Sequence, residues 1–232
     1  MQINAFKIAR ILGVLLLVVA IALLIINPQP ENNLPPGFFT PIIAFEFIQT
    51  KQEILNFFKV PDVAAYEQKM LLGNWVDYGF MVLYSGLLLY IAIGIKKITN
   101  SKTMYLAMFF CVAMLVGDAV ENYFIYKLVS TRNTDFSALD SFPYYSYFLQ
   151  MLNIFTWIKW SSIASTFLLF SPFFFKGKLF HKIIGVFCVT CFGLCIAAFL
   201  HHGILNEIFA VNVVLVFLLL VIFVFTYKLS EP

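Results

Sequence analysis

Charge is what this chain has least of: 12% of its 232 residues are Asp, Glu, Lys or Arg, against 62% that are hydrophobic. A single soluble core of that length could not hide so much apolar surface, so the composition excludes a soluble globular domain and assigns the excess to lipid. Polar–apolar alternation is also missing from the apolar blocks, which excludes membrane strands and leaves helices with internally satisfied backbones. There is no Gly-rich phosphate loop, no nucleophile elbow and no cytoplasmic domain, which argues against nucleotide-driven work within the chain. Cysteine is scarce, and Cys111, Cys188, Cys191 and Cys195 all fall inside apolar blocks, so they build no disulfide framework. Cys188-x-x-Cys191 and Cys195 share one helical face and are read as small packing residues.

What the chain has is a set of apolar blocks long enough to cross a hydrocarbon core of roughly 30 Å, which takes about 20 helical residues. They lie near 11–26, 75–95, 103–126, 145–175, 183–201 and 208–227. These predict an all-α, polytopic membrane helix bundle of about six spans, forming one membrane domain over 1–232. The fourth block carries Ser171-Pro172, where the span is expected to tilt or end. The first follows Lys7 and Arg10 as a signal peptide would, but its apolar run continues past Ala20-Ile21-Ala22, which predicts a retained helix.

With six alternating spans, Lys7, Arg10, Lys96, Lys97, Lys102, Lys176, Lys178, Lys182 and Lys228 fall on one side, in short segments beside span ends. Lys51, Lys59, Lys69, Lys127 and Arg132 fall on the other. The positive-inside rule makes the first side cytoplasmic and puts both termini there. Every Asp and Glu except Glu231 lies in the outer loops or outer halves of the spans. The net charge of +3 thus reflects topology and implies no nucleic-acid partner.

The long outer connection leaves the bilayer through Asn27-Pro28-Gln29-Pro30 and Pro35-Pro36-Gly37, and an amphipathic segment follows over 38–72. Thr40 as N-cap and Pro41 at the first helical position start a helix there. Its apolar face is Ile42, Ile43, Phe45, Ile48, Leu55 and Phe58, and its polar stripe is Glu46, Gln49, Glu53 and Asn56. Such a helix lies on the membrane surface, lids the bundle or packs between spans. Asp62 can cap a further helix that enters the second span, with Gly73-Asn74 as a break.

Counted along the spans at about 1.5 Å per residue, Asp77, Asp118, Glu121, Lys159, His201 and Asn212 all lie about 22–27 Å above the inner ends. The inner half is nearly all Leu, Ile, Val, Phe and Met. Asp118, Glu121 and Asn122 share one helical face, and Lys159 leans toward the start of its helix and so toward those acids. A charge this deep needs a partner, so Lys159 is expected to pair with Asp118 or Glu121, with Asp77 nearby. The carboxylates outnumber the lysine, and the surplus calls for protons, a cation or a cationic ligand. Glu46 and Glu207 can add to that surplus. The bland reading is an ion pair that fixes helix register.

His201 and His202, with Glu207, offer a weaker zinc reading, set against ordinary capping of a helix C-terminus by histidine. Tyr123, Tyr126, Tyr144, Tyr145, Tyr147, Trp75 and Tyr78 form the expected interfacial belt.

Asp77, Asp118-x-x-Glu121-Asn122 and Lys159 in consecutive spans resemble a pattern in small uncharacterised bacterial multi-pass membrane proteins. The resemblance covers the middle of the chain, implies that these charges act as one unit, and brings no activity with it.

These residues imply a protein that binds or transports a small polar molecule, an ion or a lipid headgroup in an outward-facing cavity. The site residues would be Asp77, Asp118, Glu121, Asn122, Lys159 and Glu46, with no resident cofactor. One alternative is a lipid-acting intramembrane hydrolase, zinc-dependent through His201 or His202 with Glu207 and Asp77. In ingredients alone it is similar to ceramidase-like hydrolases, with the histidine spacing and the serine missing. A retinal protein is disfavoured, because six spans with the lysine in the fourth do not fit the rhodopsin plan. A structural or assembly subunit completes the set. Oligomers are compatible with each, although no inverted repeat supports a carrier.

Overall fold

The computed structural model describes residues 5–31, 34–132 and 145–227. Tyr144, Lys228 and Glu231 lie outside them, as does the side chain of Arg132. Helix is the only regular secondary structure among the described residues, with α1 at Ala5–Ile26, α2 at Pro41–Glu46, α3 at Lys51–Phe57, α4 at Val63–Thr99, α5 at Thr103–Arg132, α6 at Tyr145–Phe175, α7 at Leu179–Leu200 and α8 at Ile204–Thr226. All but α2 and α3 are long and apolar enough to cross a membrane, which makes the chain compatible with a six-span integral membrane protein. Large side chains such as Leu24, Ile25, Phe109, Leu179, Phe199 and Leu200 are exposed around the bundle, an apolar surface suited to lipid.

Chain order sets the packing. The long helices form a ring in which α4 meets α5, α5 meets α6, α6 meets α7, α7 meets α8, and α1 closes the circle against α8 and α4. Helix α4 is longer than its apolar block, since 37 residues make about 55 Å. Asp62 caps it through Ala65 N at 3.0 Å, as its position before Val63 predicts. The expected break at Gly73-Asn74 does not occur. Gly73 instead admits the Asn27 side chain, whose Oδ1 would lie 2.0 Å from a Cβ at that position. Helix α6 also runs through Pro172 and stops three residues later.

The connection between α1 and α4 departs most from the sequence reading. Two short helices replace the single amphipathic one, because Thr50 and Glu53 form a capping box. Thr50 Oγ1 accepts from Glu53 N at 3.2 Å, and Glu53 Oε2 accepts from Thr50 N at 3.1 Å. The apolar residues face inward, not toward lipid: Phe45, Ile48, Phe57 and Phe58 are buried, and the Phe45 and Phe57 rings meet at 4.9 Å. Glu46 is buried with them, so the expected continuous polar stripe is divided, and Gln49 and Glu53 belong to the cap of α3. Helix α2 contacts α6 and α8, and so covers one end of the ring from within.

The other end is aromatic. Phe223 lies against Phe174 at 5.0 Å, Tyr227 at 5.1 Å, His181 at 5.5 Å and Phe6 at 5.8 Å. Arg10 donates to Val224 O at 2.6 Å and Tyr227 O at 3.2 Å, satisfying carbonyls that the end of α8 leaves open. These contacts gather the start of α1 and the ends of α6 and α8 at one end of the bundle.

Candidate functional site: a buried ion cluster and its adjoining cavity

Three carboxylates converge on Lys159. Its Nζ lies 2.9 Å from Glu46 Oε2 and 3.5 Å from Asp118 Oδ1, and it also pairs with Glu121 Oε2. The expected pairing with an acid of α5 is therefore present, with Glu46 of α2 added to it. Gly117 is the reason α5 can reach α6 here, because a Cβ at that position would lie 2.9 Å from the Lys159 backbone nitrogen. The close approach sets Asp118, the next residue, against the ammonium.

Each acid also has a neutral donor. Tyr84 Oη donates to Asp118 Oδ2 at 2.6 Å, Thr156 Oγ1 to Glu121 Oε1 at 2.6 Å, and Trp160 Nε1 to Glu46 Oε2 at 2.9 Å. Lys159 lies 5.2 Å from the Trp160 ring centroid. Lys159 is 6% exposed, Asp118 1% and Glu121 0%, so the cluster is closed by its own partners. Burial pushes the Glu46 carboxyl above the ordinary carboxylate range; nearby Lys159 opposes this and nearby Asp118 adds to it.

Asp118, Glu121 and Asn122 leave α5 as a fan, with Glu121 turned to α6 and Asn122 to α4. Asn122 Nδ2 donates to Asp77 Oδ2 at 2.8 Å, and Asn74 Nδ2 donates to Asn122 O at 3.1 Å. This second layer borders a cavity of about 20 Å³, whose wall includes Glu46, Asn74, Asp77 and Asn122. That is room for about one water-sized species. The sequence reading placed a cavity against Asp77, Asp118, Glu121 and Lys159, whereas of these four only Asp77 lines this one. Tyr84, Thr156 and Trp160 fill the space around the other three.

His201, His202 and Glu207 do not converge. Glu207 turns to the start of α2, where its Oε1 accepts from Phe39 N at 2.9 Å and Thr40 N at 2.7 Å, and its Oε2 accepts from Thr40 Oγ1 at 2.9 Å. Thr40 therefore donates its hydroxyl to Glu207 and does not cap α2 with it, although Pro41 takes the first turn as expected. His202 meets the Phe38 ring at 5.0 Å in a tilted contact and lies 3.5 Å from Glu53, while His201 is exposed at the end of α7. The Glu53 carboxyl is pushed up by partial burial, but the His202 contact and the amides of Gln49 and Thr50 outweigh this and hold it below its ordinary range. Asn212 is buried on α8, with its Oδ1 lacking a hydrogen-bond partner among the described residues. The four cysteines are free and buried.

Sequence reasoning missed Tyr84 and Thr156. Both leave a trace, since Thr156 precedes Lys159 by one helical turn and Tyr84 follows Asp77 by two. Neither residue type is unusual in a span, so only the facing helices single them out. Comparison with family models, with curated proteins and with solved structures gave no match.

Proposed function

We propose that this chain is a multi-pass protein of a bacterial cytoplasmic membrane that binds or transports a small polar solute, an ion or a lipid headgroup from the side covered by α2 and α3. Helices α2 and α3 form the outward cover, and both termini are cytoplasmic. The observation that carries the reading is the position of Glu46, which belongs at once to the Lys159 cluster and to the wall of the adjoining cavity. One ammonium faces three carboxylates, with Asp77 as a fourth acid behind them. The surplus negative charge favours uptake of a proton or another cationic group at the cavity, where water or solute can reach it.

Infrared difference spectra of the protein in lipid test this reading. A carboxylic C=O band should titrate with pH, shift in D2O and disappear in Asp77→Asn. If no exchangeable band depends on Asp77 or Glu46, the cavity takes no part in proton or solute binding. The orientation is tested by membrane-impermeant thiol labelling, which should reach Lys59→Cys but not Ser101→Cys in intact cells; the reverse pattern would overturn it.

A second reading has its own observation. Helix α2 is tied at its start by Glu207 of α8 and at its end by Glu46 to Lys159 of α6, so both carboxylates hold the cover to the ring. A structural or assembly subunit needs no more than this. Asp77→Asn would then leave every binding measurement unchanged, while Glu207→Gln would loosen the cover.

A further inference from the structure

We infer that the cavity beside the ion cluster is a site for one dehydrated monovalent metal cation of about the size of sodium. Asp77 would be its charged ligand, with Asn27, Asn74 and Glu46 supplying further oxygens. This names the ligand class of the site proposed above and rests on that reading.

The donor atoms decide the chemistry. Beside Leu23 and Ile42, the cavity wall includes Asn27, Glu46, Asn74 and Asp77, all of which carry the oxygen donors a hard cation prefers, and no sulfur or imidazole group. Asn74 is 97% buried, its side-chain nitrogen donates to Asn122 O, and its Oδ1 has no hydrogen-bond partner among the described residues. A buried amide oxygen without a partner is costly, and a cation at the wall it lines removes that cost. Glu46 gives Oε2 to both Lys159 and Trp160, while no described hydrogen bond uses Oε1. Asp77 likewise gives Oδ2 to Asn122 and keeps Oδ1. Asn27 Oδ1 is held against Gly73 at a distance no side chain there would allow.

Charge and size narrow the class further. Lys159 is already shared among Glu46, Asp118 and Glu121, so Asp77 has no ammonium of its own. One added positive charge balances it. A volume of about 20 Å³ admits a bare ion or one water. A divalent ion that keeps several waters, as magnesium does, needs more room than that.

The test is the unfolding temperature of the full chain in lipid nanodiscs, in sodium, potassium or choline chloride at one ionic strength. Sodium should raise it by several degrees in a saturable way and potassium by less, relative to choline. Asn74→Leu and Asp77→Asn should abolish the sodium response. Identical melting in all three salts, or a sodium response retained by both variants, would overturn the inference. Should the variants not fold, binding of radioactive sodium to the unaltered protein decides: one ion per chain, displaced by acid, supports the site, and no retained sodium overturns it. The infrared titration run in choline chloride separates the two levels. An exchangeable Asp77-dependent band without any sodium effect sinks the cation and leaves the solute-binding reading standing.

Discussion

The two ends of this bundle are held together by different forces. At the end covered by α2 and α3, Lys159, Glu46, Asp118, Glu121 and Glu207 hold helices through directed, charge-assisted bonds. At the other, Phe6, Phe174, His181, Phe223 and Tyr227 hold them mainly by ring packing, with Arg10 bonding the last carbonyls of α8. In lipid there is little hydrophobic force between spans, so packing and interhelical polar contacts must supply the association. The aromatic end tolerates change of shape. The charged end does not, because removing one member strands the others.

That contrast is broken most severely by Lys159→Met, which leaves three buried carboxylates without their cation. It should destabilise the protein by about 3–5 kcal/mol in a detergent unfolding titration, and adding Glu121→Gln should recover part of the loss. Phe174→Leu at the aromatic end, a smaller truncation than Phe→Ala, should cost about 1–2 kcal/mol in the same assay. Equal losses at the two ends would remove the distinction.

The next effect belongs to Glu207→Gln, which weakens a charged acceptor serving two backbone amides and a hydroxyl. It should cost about 1.5–3 kcal/mol and speed proteolysis between α1 and α4. Unaltered protease resistance would show that Glu46 and the apolar side chains hold α2 without Glu207.

Thr50→Ala removes one half of the capping box at the start of α3 and should cost about 1 kcal/mol, seen as faster amide hydrogen exchange over 51–57. Unchanged exchange would mean that packing of Ile54 and Phe57 alone fixes this turn.

The smallest effect is that of acid on the same helix. The Glu53 carboxyl is held below its ordinary range, so its stabilisation is complete above that range and is lost as pH falls through the lowered value. Protection factors over α3, corrected for the intrinsic pH dependence of exchange, should therefore fall on acidification, and Glu53→Gln should make them independent of pH there. Protection that rises on acidification would contradict the sign.

Much of this was legible in the residues. The six spans are read from runs whose length the bilayer dictates, and the pairing of Lys159 with α5 follows from equal depth and the cost of an isolated charge. Asp62 capping α4 is local chemistry, and so is the Thr50–Glu53 box, which stands in the sequence as Thr-x-x-Glu but is masked there by the longer amphipathic pattern around it. Gly73 shows the opposite difficulty: a glycine beside asparagine reads as a break, and only the side chain of Asn27, just past the end of α1, shows that it marks close approach.

The sequence by itself determined that this chain belongs in lipid, how many helices can cross it and which end carries the carboxylates, because these depend on length, periodicity and the cost of burying charge. The tertiary structure alone decided that Glu46 turns inward to Lys159, that Glu207 faces backbone amides instead of histidine, and that Asp77 borders the cavity while Asp118 and Glu121 do not. Those outcomes depend on distances between residues up to 168 positions apart. Only the packing of helices around Gly117, and the descent of α2 into the ring, sets those distances.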